Sequence, residues 1–288
     1  MTVEIGKIRN VGVVGHGGVG KTSLVEAALF AAGAVSRLGR VDDGTTTTDF
    51  DPDEIKRKIS INTSIAYCDW KGHRINLVDT PGYGDFIADA RAGLRVVDAA
   101  VVVVDAVAGV QVQTEKVWKF AVEYNLPRVV VVNRLDRERA DFFRTLESLT
   151  RRLKGRLVAI HLPVGEESGF RGWVDLVKMK AVTYTDGKPS EGEIPAELVD
   201  RAKEYREKLV EAAAETDDEL LNTYLEEGSL GEAEMLKALR VGIADGRIVP
   251  VITAAATKSI GSVALLDLFV ESLPSPADRG EVAGTDLK

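Results

Sequence analysis

Three short patterns in this chain have the residue types and spacing for chemistry on a nucleoside triphosphate. The first is Gly15-His16-Gly17-Gly18-Val19-Gly20-Lys21-Thr22-Ser23. A loop that wraps phosphates must aim several backbone N–H groups inward, which takes unusual backbone angles and leaves no room for side chains. Gly15, Gly17, Gly18 and Gly20 meet both demands, and His16, Val19 and Ser23 join them as expected nucleotide contacts. Lys21 would reach the outer phosphates, and the Thr22 hydroxyl would sit on Mg²⁺. The second pattern is Asp79-Thr80-Pro81-Gly82. An Asp there would hold a Mg²⁺-bound water, and the Gly82 N–H would meet the γ-phosphate. Ser60, upstream, can supply a second hydroxyl to the ion.

The third pattern, Asn133-Arg134-Leu135-Asp136, selects the base. A carboxylate at Asp136 can accept from guanine N1–H and from the exocyclic amine, and adenine offers neither. Leaving such a group unpaired in a buried site discriminates by roughly 10⁴-fold. Asn133 would bind the base edge and brace the glycine loop, while Arg134 would lay its stem over the base. Ala255, Ala256 and Thr257 would close the base site, with the Ala256 N–H directed at guanine O6. The expected ligands are therefore GTP and GDP with Mg²⁺.

These residues need strand ends and helix starts to hold them. Residues 8–14 are short, apolar and β-branched, and Leu24, Ala27, Ala28 and Ala31 follow at helical spacing, so the glycine loop joins a buried strand to a helix. Residues 61–70 and 75–79 read as a hairpin across the turn 71–74. Residues 99–104 and 129–132 are fully apolar runs suited to central parallel strands, followed by helical patterns at 111–124 and 137–153. The sequence predicts a P-loop α/β fold: a mostly parallel, doubly wound sheet with one antiparallel hairpin strand.

The texture changes after residue 156. Residues 174–184 with Asp186-Gly187 suggest antiparallel strands, and 195–215 is a charged amphipathic helix. Thr216 to Glu219 has capping-box spacing and predicts a further helix start. The α/β pattern returns with a strand at 249–253 and a helix at 262–273. The expected organisation is a core of residues 1–156 and 247–288 with an inserted α+β subdomain at 157–246.

Composition narrows the setting. The 288 residues suffice for a large core, and a single cysteine, Cys68, fits a reducing compartment. Residues 1–10 show no signal-peptide pattern, and the apolar stretch 96–110 is too short to cross a bilayer and carries Asp98 and Asp105. A formal charge of −8 disfavours broad nucleic-acid wrapping and leaves room for one local RNA contact. The expectation is a cytoplasmic monomer with no membrane contact and no sequence-specific DNA binding.

The combination resembles the translational GTPases, most closely the N-terminal nucleotide domain of elongation factor G. The resemblance rests on residues 15–23, Asp43-Gly44 with Thr47 and Asp49, residues 79–82 with Asp85-Phe86, and Gly109-Val110-Gln111 with Thr114-Glu115. Residues 133–137 with Ala140-Asp141-Phe142, and Lys258 with Gly261, extend it. The insertion between Asp136 and Ala254 matches as well. The resemblance implies GTP hydrolysis by water, a ribosomal partner, and a chain that forms the first domain of a longer factor.

Several positions depart from the family pattern. Tyr83 stands where the family has the histidine that positions the attacking water, and Gly18 where it has a cation-holding aspartate. Lys58, Ser60, Arg134 and Ala255 replace residues whose backbone, hydroxyl or stem roles they can still fill. Tyrosine, with a pKa near 10, is a poor base. Expected catalytic residues are Lys21, Gly82 and Tyr83, the last at most orienting water. The alternatives are a GTP/GDP-dependent switch with little hydrolysis, and a ribosome-protection or recycling role. The threonines at 45–48 read equally as a flexible loop or as a segment ordered by the γ-phosphate.

Overall fold

A computed structural model describes residues 3–185 and 187–280. In chain order the elements are β1 (Ile8–Gly15), α1 (Lys21–Ala31), α2 (Pro52–Arg57), β2 (Ser64–Trp70), β3 (His73–Asp79), α3 (Ile87–Arg95) and β4 (Ala99–Asp105). Next come α4 (Val112–Glu123), β5 (Arg128–Asn133), α5 (Phe142–Arg152), β6 (Leu157–Ala159), β7 (His161–Val164), β8 (Gly172–Asp175), β9 (Lys180–Thr185) and β10 (Lys188–Gly192). The last are α6 (Val199–Ala214), α7 (Asp218–Glu227), α8 (Glu232–Ala244), β11 (Val249–Thr253) and α9 (Ser262–Ser272).

A seven-stranded sheet runs β2-β3-β1-β4-β5-β11-β6. Only β2 is antiparallel, pairing Ser64 with Asp79 and Trp70 with His73. The strands β4 and β5 are buried at every position, which explains their apolar runs Ala99–Val104 and Val129–Val132: with helices on both sheet faces, these side chains cannot reach water. The edge strand β2 instead alternates, burying Ala66 and Cys68 and exposing Ile65 and Tyr67. The ends of β1, β3, β5 and β11 carry the four candidate motifs. A doubly wound sheet gathers such strand ends into one crevice where its winding reverses.

A second sheet, β10-β9-β8-β7, is fully antiparallel and precedes three helices, α6, α7 and α8. The fold class is therefore as expected, with several local corrections. The expected boundary at 157 falls inside the main sheet, because Leu157–Ala159 pairs with Val249, Pro250 and Val251 of β11. The hairpin strand begins at Ser64 rather than 61, and β3 begins at His73, leaving Lys71 and Gly72 at left-handed angles as the turn.

The helix expected from 137 starts at Phe142: Arg139 is left-handed, and Asp141 caps the helix by accepting from the Arg144 N–H at 2.9 Å. The helix expected from 195 starts at Val199, after a 3₁₀ turn. Asp217, not Thr216, caps α7, because the Thr216 hydroxyl donates back to the Ala213 carbonyl at 2.7 Å. Of the expected Asp186-Gly187 turn, Asp186 lies outside the described residues. No helix among the described residues is long and apolar enough to cross a membrane.

Candidate functional site

The glycine loop leaves β1 and enters α1 at Gly20, whose φ of 91° is natural only to glycine. No side chain caps α1, so its first N–H groups face the crevice unclaimed, the arrangement that binds anions at helix starts. A β-carbon on Gly20 would also strike the Asn133 amide. Gly18 is exposed, at φ 75°, with open space around it.

Lys21 is buried and donates to the His16 carbonyl at 3.0 Å across the loop. Burial lowers its ammonium to about 8, against the pull of Asp79 and Asp49. Asp79, 2 % exposed at the end of β3, is pushed up to about 6 by burial, opposed by a 2.7 Å hydrogen bond from the Thr48 hydroxyl and by Lys21. Its second oxygen, Oδ1, is buried without a partner among the described residues. Asp49, also buried, has an Oδ2 likewise unpartnered among them, and burial raises its carboxyl against a hydrogen bond from Ser60.

The Thr22 and Ser60 hydroxyls lie 3.0 Å apart, although 38 positions separate them in the chain. Two converging hydroxyls beside an unpartnered Asp79 oxygen form an all-oxygen donor set of the kind Mg²⁺ takes with few protein ligands and several others. The described residues contain no cluster of three His, Cys, Asp or Glu side chains able to hold a metal alone. The residues present thus fit an ion shared with phosphates rather than one caged by protein.

The threonine run is packed rather than loose. Thr46 and Thr48 are buried, and the Thr47 N–H donates to Glu26 at 2.8 Å. Glu26 also receives the Gly39 N–H, so one buried carboxylate on α1 ties down both ends of segment 39–47. Glu54 does the same further on, accepting from the Ile61 and Asn62 N–H groups just after Ser60. Sequence reasoning missed both carboxylates. Their only signal was a charged residue placed on the buried side of a helix.

At the other end of the crevice, Asn133 is 1 % exposed and spans two loops. Its amide donates to the Val19 carbonyl at 2.9 Å and accepts from the Ala256 N–H at 3.0 Å. The brace to the glycine loop is as expected. The Ala256 N–H, however, is spent on Asn133 rather than free for a base. Ala255 likewise donates to Ile260, whereas the Thr257 N–H makes no hydrogen bond among the described residues and Thr257 lines the crevice. Arg134, left-handed at φ 66°, ties its guanidinium to Asp105 at 2.9 Å, which leaves its stem along the crevice wall. Asp136 stands 3.7 Å from the Lys258 ammonium.

Gly82 packs against the His16 carbonyl and the Lys21 ammonium, where a β-carbon would not fit. The next residue, Tyr83, is 43 % exposed and lays its ring over Gly17. Its hydroxyl makes no hydrogen bond among the described residues. One cleft is lined by Gly17, Lys21, Thr22 and Ser60 at one end and by Arg134 and Thr257 at the other.

Residues 6–275 match the family described as the elongation factor Tu GTP binding domain. Elongation factor G of Thermotoga petrophila is 42% identical over 285 residues, covering 98% of this chain and 41% of that protein. Elongation factor G of Wolbachia pipientis subsp. Culex pipiens is 42% identical over 292 residues, covering 100% and 42%. A crystal structure of a Thermus thermophilus protein superposes with a TM-score of 0.89 at 42% identity, over 95% of this chain and 41% of that one. The chain therefore spans about two fifths of the length of the relatives it matches.

Proposed function

The chain belongs to the elongation factor Tu GTP-binding domain family and is a translational GTPase domain, and from that premise we propose that it binds GTP and GDP with Mg²⁺ and hydrolyses GTP slowly. We read it as the first domain of a longer factor of the elongation factor G kind, with the ribosome as its large partner. A recycling or protection role fits the same residues. Residues 160–246 form the inserted part in this reading, since β6 completes the main sheet.

The residues divide the work by position. The loop amides from Gly15 to Ser23 and the free start of α1 hold the phosphates. Lys21, now satisfied by the His16 carbonyl, turns its ammonium to the β- and γ-phosphate oxygens and regains full charge there. Thr22 and Ser60 would hold Mg²⁺ through their hydroxyls, with Asp79 beside them as the carboxylate of the set. When bound, the ion neutralises charge on the phosphate oxygens. Gly82 offers its N–H to the γ-phosphate. Tyr83 covers Gly17 beside the loop and at most orients the attacking molecule. Asp136 pairs with guanine N1–H and the exocyclic amine, Arg134 covers the ring, and Thr257 replaces Ala256 as the O6 donor.

The observation that carries this reading is the Asn133 amide, which locks the phosphate loop and the base loop into one rigid cleft. Isothermal titration of the chain with GDP, GTP and ATP, with and without a Mg²⁺ chelator, tests it. Guanine nucleotides should bind at least ~10³-fold tighter than ATP, with chelation weakening GTP. Equal affinity for ATP would end the base assignment. A second reading, a binding switch with little turnover, is favoured by one observation: Tyr83 stands exposed with its hydroxyl unengaged.

A further inference from the structure

A second cavity of about 300 Å³ lies at the opposite end of β3 from Asp79, between the antiparallel sheet and helices α8 and α9. Its wall carries His161, Trp173 and Tyr184, and its rim carries Lys71, Asp267 and Glu271. None of these residues serves the nucleotide cleft. Volumes of this order hold small organic ligands.

The wall is aromatic and incompletely satisfied. His161, 6 % exposed, stacks on Trp173 with ring centroids 5.3 Å apart and planes 20° from parallel. Burial lowers its imidazole to about 4, so the ring is neutral at physiological pH. Its Nδ1 is buried without a hydrogen bond among the described residues, and so is the hydroxyl of Tyr184, whose ring packs on Trp173 at 5.9 Å. An orphaned buried polar atom is destabilising unless a partner reaches it. Two such atoms on one cavity wall describe a surface that is completed by an occupant.

The rim selects the occupant's charge. Asp267 is already claimed, accepting from the Trp70 indole and the Lys71 ammonium, each at 2.7 Å. Asp175 accepts from the Val177 and Lys178 N–H groups. Glu191 has two lysines, Lys178 and Lys180, at 4.0 Å. Glu271 stands exposed next to Asp267, with the shared Lys71 at 3.9 Å and Lys178 also acting on it. The lining as a whole carries four carboxylates, Asp175, Glu191, Asp267 and Glu271, against two lysines, Lys71 and Lys178, and of these Glu271 stands open at the rim.

We propose that this cavity binds a small aromatic cation, its ring laid along the Trp173–His161 stack and its positive group paired with Glu271. The polar edge of such a ligand would meet His161 Nδ1 and the Tyr184 hydroxyl. The proposal stands apart from the nucleotide reading, because no residue is shared.

The test uses the chain saturated with GDP and follows the Trp173 indole N–H resonance by NMR, with benzamidine as the cationic probe and benzamide as its neutral counterpart. The expected result is a saturable shift with benzamidine and at least ~10-fold weaker binding of benzamide, the ratio a charge-assisted pair supplies. Glu271→Gln should bring the two probes to within about twofold of each other. No saturable shift of Trp173 with benzamidine up to ~10 mM, where fragment-sized ligands of a formed pocket bind, overturns the proposal. Equal binding of both probes to the native chain overturns it too, without reference to any variant. A preference for benzamidine that survives Glu271→Gln also counts against it.

Discussion

The base end of the nucleotide cleft and the corner at Tyr83 are built in opposite ways. At the base end each substitution away from the family pattern sits on a scaffold of buried hydrogen bonds and ion pairs. Arg134 is anchored by Asp105, the Ala256 N–H is held by Asn133, and Asn133 is itself fixed to the glycine loop. At the Tyr83 corner nothing anchors the side chain, which rests on Gly17 with its hydroxyl unused. In the proposed reading, binding is distributed over backbone and buried hydrogen bonds, which tolerate exchange of a side chain. Any ordering of the attacking water would fall to one side chain, Tyr83, whose hydroxyl makes no hydrogen bond among the described residues.

The largest expected effect is at the base. Asp136→Asn should cost GTP on the order of 10⁴-fold in affinity and turn preference to xanthosine triphosphate, whose base presents the complementary pattern. Competition between the two nucleotides in equilibrium dialysis measures it directly. Retained GTP affinity would remove Asp136 from base reading and with it half of the contrast.

Next comes Asn133→Ala, which leaves the Val19 carbonyl and the Ala256 N–H without partners in buried surroundings. Each orphan costs roughly 1–3 kcal/mol, so urea unfolding of the nucleotide-free chain should show a loss of about 2–5 kcal/mol. A loss below about 0.5 kcal/mol would mean that the two loops are not locked through this amide.

Asp79 and Lys21 give the next effect, in pH. The Asp79 carboxyl is raised to about 6 in the folded chain, so the folded state holds that proton more tightly than the unfolded one. Nucleotide-free stability should therefore fall as pH rises from ~4 to ~6, by about 2 kcal/mol. Lys21, lowered to about 8, works the other way: its penalty is relieved as pH rises from ~8 to ~10.5. Binding of Mg²⁺–GDP needs the ionised Asp79 and the charged Lys21, so it should be tightest between these limits. Denaturant titrations across pH, run with a chelator and then with Mg²⁺–GDP, separate the two. Flat nucleotide-free stability between pH 4 and 6 would show that Asp79 is not desolvated.

Much of this arrangement was legible in the sequence, and the reasons are local. The glycine loop is readable because the backbone and close approach at Gly20 suit only glycine, and the central strands because β4 and β5 have no wet face. What escaped was set by contacts distant in sequence. Glu26 and Glu54 are spelled as ordinary helix-surface acids, yet both are buried to hold segment 39–62. Leu157–Ala159 is too short for a periodic signal and joins the main sheet because β11 leaves an open edge. The start of α5 was blurred because residues 137–141 have helical composition, while the left-handed Arg139 and the Asp141 cap set the true start. The engagement of the Ala256 N–H could not be read at all, since it depends on the orientation of an amide 123 residues away.

The central claim is that this chain keeps a complete guanine-nucleotide cleft while its tyrosine at 83 does no chemistry. Single-turnover GTP hydrolysis by the native chain, Tyr83→Phe and Tyr83→His tests it in one experiment, with GDP affinity measured alongside. The native rate should be on the order of 10⁻⁴ to 10⁻² per second. Tyr83→Phe should stay within about twofold of it, and GDP affinity should be unchanged in both variants. A loss of about tenfold or more in Tyr83→Phe at unchanged GDP affinity would contradict it, because the phenol hydroxyl would then be acting on the water.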